Sequence, residues 1–232
     1  MALSITWIGH STFLIVTPRG KRILTDPFFG AASPEFSKPE TVLPLDAILV
    51  THGHVDHIND LIATARASGA PIVCIWDMGL WLGTKGMKNV KDMGVGGTQE
   101  VAGLRVTMVP AVHSSGFLED ERVLYMGTAA GYIIREEGMP TIYFAGDTTL
   151  FSDMKLIRDL YQPEIAFLPI GDHYTMGPDL AALAAQWTGV RQVVPMHWGT
   201  FPLLTGTPAA LREHLAGTDI EVLELQPGQT AE

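Results

Sequence analysis

The sequence predicts an α+β fold in which packed sheets carry helices on their outer faces. Three observations lead there. Short apolar runs of strand length recur along the whole chain. Helical patterns of about three turns interrupt them. The 24 glycines and 15 prolines among 232 residues supply frequent turns. With 47% hydrophobic and 17% charged residues the chain is globular rather than disordered. Its length suits one domain with a substantial core, read as residues 1–232.

The elements follow in order. Ser4–Ile8 and Thr12–Thr17 read as strands, Pro18–Gly20 as a turn, and Arg22–Thr25 as the next strand of a meander. Ala47–Thr51 is an apolar run suited to a strand buried on both faces, and it ends at His52. Asn59 or Asp60 caps a helix that runs to about Ser68, with Leu61, Ile62 and Ala65 on one face and Gly69 as the stop. Ile72–Trp76 is a strand, and the glycine-rich stretch Gly83–Gly97 predicts turns. Leu104–Val109 is a strand leading to His113, and Gly131–Arg135 pairs with Thr141–Ala145 as a hairpin. A helix from Ser152 to Tyr161, the strand Ile165–Pro169, and the helix Pro178–Thr188 come next. Pro178 suits the first helical position and Gly189 closes the helix. The strand Gln192–Met196 delivers His197, Pro208–Ala216 is a helix, and Ile220–Leu225 is the last strand. A midpoint near Gly116–Arg122 is a candidate boundary between two structural halves.

Charge and composition exclude several classes. The formal charge of -10 comes with no basic stripe, so general nucleic-acid binding is not expected. The single cysteine, Cys74, lies in an apolar run and reads as a buried strand residue; a lone thiol makes no internal disulfide and points to a reducing compartment. There is no signal-peptide pattern and no apolar run near the roughly 18 residues of a membrane helix. A cytoplasmic protein that does not engage membranes is expected, with its oligomeric state open.

The chemistry concentrates in one stretch, His52-Gly-His54-Val-Asp56-His57. Packing has no use for four such groups crowded together. Their desolvation and mutual repulsion are costly unless a cation sits among them. His52 and His54, two apart, can aim at one point, and the adjacent Asp56 and His57 at a neighbouring one. Such a loop still lacks ligands. His113, Asp147 and His197 each follow an apolar strand, where loop residues gather at a sheet edge, and Gly146 lets the backbone of Asp147 approach closely. Together these seven residues predict binding of two divalent metal ions.

The order and spacing of these motifs, with Gly9-His10-Ser11 at the start and Gly171–Gly177 late in the chain, resemble the metallo-β-lactamase superfamily from about Ile5 to Leu225. Among its members the chain resembles most the small stand-alone metal-dependent hydrolases and the related lactonases acting on phosphorylated ascorbate. The resemblance implies a four-layer αββα sandwich with metals at one edge. It implies that His52, His54 and His113 hold one metal, that Asp56, His57 and His197 hold the other, and that Asp147 bridges them. It also places Asp26, at the end of a strand, as the acceptor of a proton from a ligating imidazole, which would fix its tautomer. The redox branch of the superfamily has Glu where this chain has His54, and the extra domain of the RNA-processing branch is absent.

Five imidazoles and two carboxylates without a thiolate suit zinc, and also manganese, iron, nickel or cobalt. The expected activity is hydrolysis of a small anionic or polarised substrate, a lactone, ester or similar, by a hydroxide bridging the two metals. Asp56 is expected to orient this nucleophile or take its proton as well as to ligate. His10 and His173, in loops beyond apolar strands, are candidates to face substrate. Tyr174, Met176, Trp198 and Phe201 are candidates for the pocket wall or the core, and His214 for the surface. A phosphodiesterase acting on short substrates and a non-catalytic metal-binding module are the competing readings.

Overall fold

The computed structural model describes residues 1–232. The first sheet is built from β1 (Ser4–Gly9), β2 (Thr12–Val16), β3 (Arg22–Thr25), β4 (Ala47–Leu49), β5 (Ile72–Ile75) and β6 (Val90–Met93). Its helices are α1 (Val55–Ile58), α2 (Leu61–Ser68) and α3 (Trp76–Thr84). The second sheet comprises β7 (Thr98–Val101), β8 (Leu104–Pro110), β11 (Ala130–Arg135), β12 (Ile142–Phe144), β13 (Ile165–Pro169), β14 (Gln192–Met196) and β15 (Glu221–Val222). Its helices are α4 (Met154–Tyr161), α5 (Pro178–Thr188) and α6 (Pro208–His214). A separate hairpin, β9 (Gly116–Glu119) and β10 (Arg122–Tyr125), interrupts the second sheet in sequence, and β16 (Thr230–Ala231) returns to pair with β1. The architecture is the αββα sandwich.

The two sheets meet through an aromatic core: the Phe13 ring lies 4.9 Å from Phe167 and 6.3 Å from Phe144. Tyr132 of β11 donates its hydroxyl to the Val50 carbonyl of the opposite sheet at 2.7 Å. Strand direction then gathers the site. β3 and β4 are parallel, and β1 runs the same way because β2 is antiparallel to both β1 and β3. In the second sheet β12, β13 and β14 are parallel, and β8 shares their direction because β11 opposes both β8 and β12. The residues just beyond β1, β3, β4, β8, β12 and β14 therefore emerge at a common edge, where His197 N–H donates to the His10 carbonyl at 3.1 Å.

Four expectations are corrected. Trp76 opens α3 instead of ending a strand, and the stretch expected to hold only turns contains the end of α3 and the strand β6. Glycines inside α3 hid the helix; Gly79 is required because a Cβ there would press on the Asp92 side chain of β6. The boundary between the sheets falls between β6 and β7, at residues 94–97, whereas the 116–122 region forms the β9–β10 turn. The last predicted strand shrinks to β15, and β16 was not foreseen: two residues are too short for a period-two pattern. Cys74 is buried in β5, and burial pushes its thiol up to about 12. His214 is exposed at the end of α6.

Candidate metal centre

The motif His52–His57 is a loop that leaves β4 and closes into α1, so its side chains turn back towards the edge where the strands end. His52 Nε2 lies 3.0 Å from His54 Nδ1, and His113 Nε2 lies 3.2 Å from the same atom. These three nitrogens form one group. His52, His57 and Asp147 form a second, and His10, Asp56, His57 and His197 a third; within each group the donor atoms lie within 4.8 Å of one another.

Asp147 links them. Its Oδ2 is 2.9 Å from His197 Nε2, 3.3 Å from His57 Nε2, 3.6 Å from His113 Nε2 and 3.9 Å from His52 Nε2. One carboxylate oxygen thus faces imidazoles from both halves of the predicted ligand set. Gly146 carries φ +63°, and a Cβ there would collide with Thr51 and the Ala130 carbonyl, so the close approach expected of it is present.

The tautomers follow from the surrounding hydrogen bonds. Asp26 accepts from Thr51 N–H at 2.8 Å, from Thr51 Oγ1 at 2.7 Å and from His57 Nδ1 at 2.8 Å. His57 is thereby protonated on Nδ1 and presents Nε2 to the cluster. With its hydroxyl proton committed to Asp26, Thr51 Oγ1 accepts from His52 Nδ1 at 3.0 Å, which frees His52 Nε2. Ser114 Oγ lies 3.1 Å from His54 Nε2; with the proton on that nitrogen, His54 Nδ1 is the inward lone pair. One buried aspartate and one threonine thus aim two imidazoles at once, as ligand-orienting groups do in metal sites.

The residues fit a bound cation. In this tautomer set His52 Nε2 and His54 Nδ1 face each other at 3.0 Å with no proton between them, and His113 Nε2 lies 3.2 Å from the same His54 nitrogen. Asp147 Oδ1 is buried without any hydrogen-bond partner, and His57 Nε2 faces only Asp147 Oδ2, at 3.3 Å. Such atoms are costly unless something else satisfies them. Burial holds the His52, His54 and His113 imidazoles below their usual range, which keeps them in the neutral, ligating form. Burial works against the charge on His57 and His197 too, but Asp147 beside them prevails: His57 is held well above the usual range and His197 is raised to about 9. The buried Asp147 and the partly exposed Asp56 are both kept below the carboxylate range by the imidazoles around them, against the effect of burial.

His10 is buried behind the cluster, off the cleft wall. Its Nε2 lies 3.1 Å from Asp56 Oδ2 and its Nδ1 2.9 Å from Thr200 Oγ1, and burial lowers its pKa to about 4. His173 is exposed on the cleft, its ring packed edge-on against Tyr174. Left-handed backbone recurs here: His10, Asp26, His173 and His197 all have φ between 37° and 55°. Non-glycine residues adopt this region at a cost and do so most often at functional sites.

The cluster floors a cleft of about 1270 Å³. Tyr174 and Phe201 line it, whereas Met176 is in the core and Trp198 stacks on Trp7 at 5.1 Å. Phe28, Val55, Ser114 and Leu118 also line it, and the sequence offered no sign of them: the first three follow a strand end or a ligand, and Leu118 lies within β9. Thr51 and Thr200 were missed as well, though Thr51 directly precedes His52.

Residues 21–198 match the family model described as a beta-lactamase superfamily domain. The chain belongs to the metallo-β-lactamase superfamily. It is 49% identical, over 98% of its length and 97% of the relative's, to a UPF0173 metal-dependent hydrolase of Koribacter versatilis. It is 42% identical, over 99% and 100% of the two lengths, to another of Methanopyrus kandleri. Among solved structures, a metallo hydrolase of the hyperthermophilic archaeon Ignicoccus hospitalis superposes with a TM-score of 0.86 at 33% identity, covering 99% of this chain and 97% of that one. This protein is a metal-dependent hydrolase of that superfamily. No helix is long and apolar enough to cross a membrane.

Proposed function

We propose that the protein is a dinuclear hydrolase of small molecules bearing a polarised acyl centre, such as a lactone or ester, and that it works in the cytoplasm as a single-domain chain. The observation that carries this reading is Asp147 Oδ2, which lies within 4 Å of imidazole nitrogens from both candidate sites. His52, His54 and His113 would hold one ion and Asp56, His57 and His197 the other, with Asp147 shared. The imidazole and carboxylate donors favour zinc, a preference shared in part by manganese, iron, nickel and cobalt. When bound, such a pair lowers the pKa of water and polarises the electrophilic oxygen.

The chain's own groups do the rest. Asp26 and Thr51 hold His57 and His52 in the ligating tautomers. His10 occupies one oxygen of Asp56 and so positions the carboxylate. The Asp56 side chain is 21% exposed towards the cleft, where it can accept a proton from the attacking water. His173, at the cleft wall, is the candidate to meet the leaving group. The lone buried thiol, Cys74, suits a reducing compartment.

The test is a panel of lactones, esters, thioesters and phosphodiesters assayed with chelated and with metal-reconstituted protein. Hydrolysis of an acyl substrate that vanishes on chelation and returns with metal is the expected result. Activity that survives thorough chelation would overturn the reading.

A further inference from the structure

The cleft above the cluster is asymmetric in its chemistry. All its ionisable lining groups belong to the floor or, in His173 and Tyr174, to the rim; no Lys or Arg lines it. Apart from Ser114, the remaining wall is apolar and comes from four separate segments: Phe28 beyond β3, Val55 of α1, Leu118 of the β9–β10 hairpin, and Phe201 with Leu203 before α6. Leu118 is 68% exposed and Leu203 50%. Large apolar side chains left in water around one opening mark a binding surface rather than a packing defect. Of the cations at the hairpin, Lys85 is paired with Glu119 at 2.7 Å, and neither it nor Arg122 of β10 lines the cleft. The volume of about 1270 Å³ also exceeds the roughly 300–1,000 Å³ of common small-ligand pockets, so the cleft has room beyond a scissile bond.

We propose that the substrate is electrically neutral and carries an alkyl or aryl group that lies on this wall, with its ester or lactone bond at the histidine cluster. This rests on the hydrolase reading above and narrows it. A phosphate or carboxylate on the remote part of the substrate would meet no protein cation, in a chain of formal charge -10. In the reaction, water adds across the scissile bond. The acyl carbon–oxygen bond breaks, a new bond forms between that carbon and the water oxygen, and the leaving oxygen takes up the proton, giving a carboxylic acid and an alcohol.

Two measurements on the metal-reconstituted full-length protein separate this proposal from the reading it rests on. Calorimetric titration with neutral N-alkyl amides, from methyl to octyl, reads the wall without requiring turnover. Kd should fall about two- to fourfold per methylene until the wall is covered. Amides ending in a carboxylate should bind at least about tenfold more weakly than neutral ones of equal length, since an unpaired charge gains nothing from an apolar wall. Leu118→Ser and Leu203→Ser, both exposed and so expected to fold, should weaken the octyl amide several-fold and the methyl amide little. A Kd indifferent to chain length, or tighter binding of the carboxylate series or of bis(p-nitrophenyl) phosphate, would overturn the proposal. Hydrolysis of p-nitrophenyl acetate through octanoate is the second measurement: KM should fall along the series. Chain-dependent binding without turnover of any ester would sink the hydrolase reading while leaving the apolar wall; turnover without chain dependence would do the reverse.

Discussion

In the histidine cluster His52, His57 and His197 are almost wholly buried, and a network through Asp26 and Thr51 fixes the orientation of the first two. On the wall of the same cleft Val55, Leu118 and Leu203 leave half or more of their surface to solvent, and no such network constrains them. The first region is specified by many mutually dependent contacts at the ends of packed strands. The second is carried on the short helix α1, a hairpin and a loop, with its side chains turned to solvent. Changes in the cluster should therefore strike metal binding and the chemical step, whereas changes in the wall should alter affinity alone.

The largest effect is expected from Asp147→Ala. Removing the carboxylate that faces both halves should abolish metal retention and lower activity beyond the roughly 10³-fold that losing one electrostatic contact costs. Metal analysis and initial rates on the same preparation check this. If the variant kept both metals, the division between cluster and wall would break at its centre.

The pH dependence of metal binding comes next. In the metal-free protein Asp147 holds a proton on His57 and raises His197 to about 9, so binding must displace those protons. The sign is fixed: metal competes with bound protons, so affinity rises with pH through the His197 value of about 9 and falls below it, by up to about tenfold per pH unit for each proton displaced. The same raised pKa contributes stability to the metal-free protein below about 6.5, lost as pH rises through about 9. Chelator competition in steps from pH 7 to 9, with proton release followed in weak buffer, measures the first effect. An affinity independent of pH would contradict it.

Asp26→Asn should weaken metal binding about 10–100-fold, the usual cost of disturbing a group that orients a ligand. It should leave the binding of neutral amides by the wall unchanged, which sharpens the separation of the two regions. Ser114→Ala, which frees the exposed nitrogen of His54, should cost less than Asp26→Asn, because water can replace the lost hydroxyl there. Chelator competition ranks the two; an equal loss would mean that exposure does not govern how firmly a ligand is held.

The same division explains what the sequence made legible. His52, His54, Asp56 and His57 crowd into one loop, and His113, Asp147 and His197 each follow an apolar strand, so strand periodicity alone points them to one edge. Asp26 also ends a strand, but its role towards an imidazole came from the superfamily resemblance and not from its position. His10 was visible as a residue but not in its place: whether a loop histidine turns into the cleft or behind Asp56 depends on a left-handed backbone at residue 10 that no local pattern announces. The walls were less legible still. Val55 and Leu118 look like ordinary apolar residues, and only the course of α1 and of the β9–β10 hairpin brings them to the same opening. Helix α3 escaped because it carries two glycines, of which Gly79 serves packing against Asp92, a tertiary demand that overrides local propensity.

The most direct test of the central claim is the metal content of purified protein after reconstitution and removal of loosely bound ions. Two metals per chain in the native protein, and a loss in His54→Ala and Asp147→Ala, is the expected result. A native protein that binds no metal, or saturates at one per chain with Asp147→Ala unaffected, would contradict the two-metal centre on which the account rests.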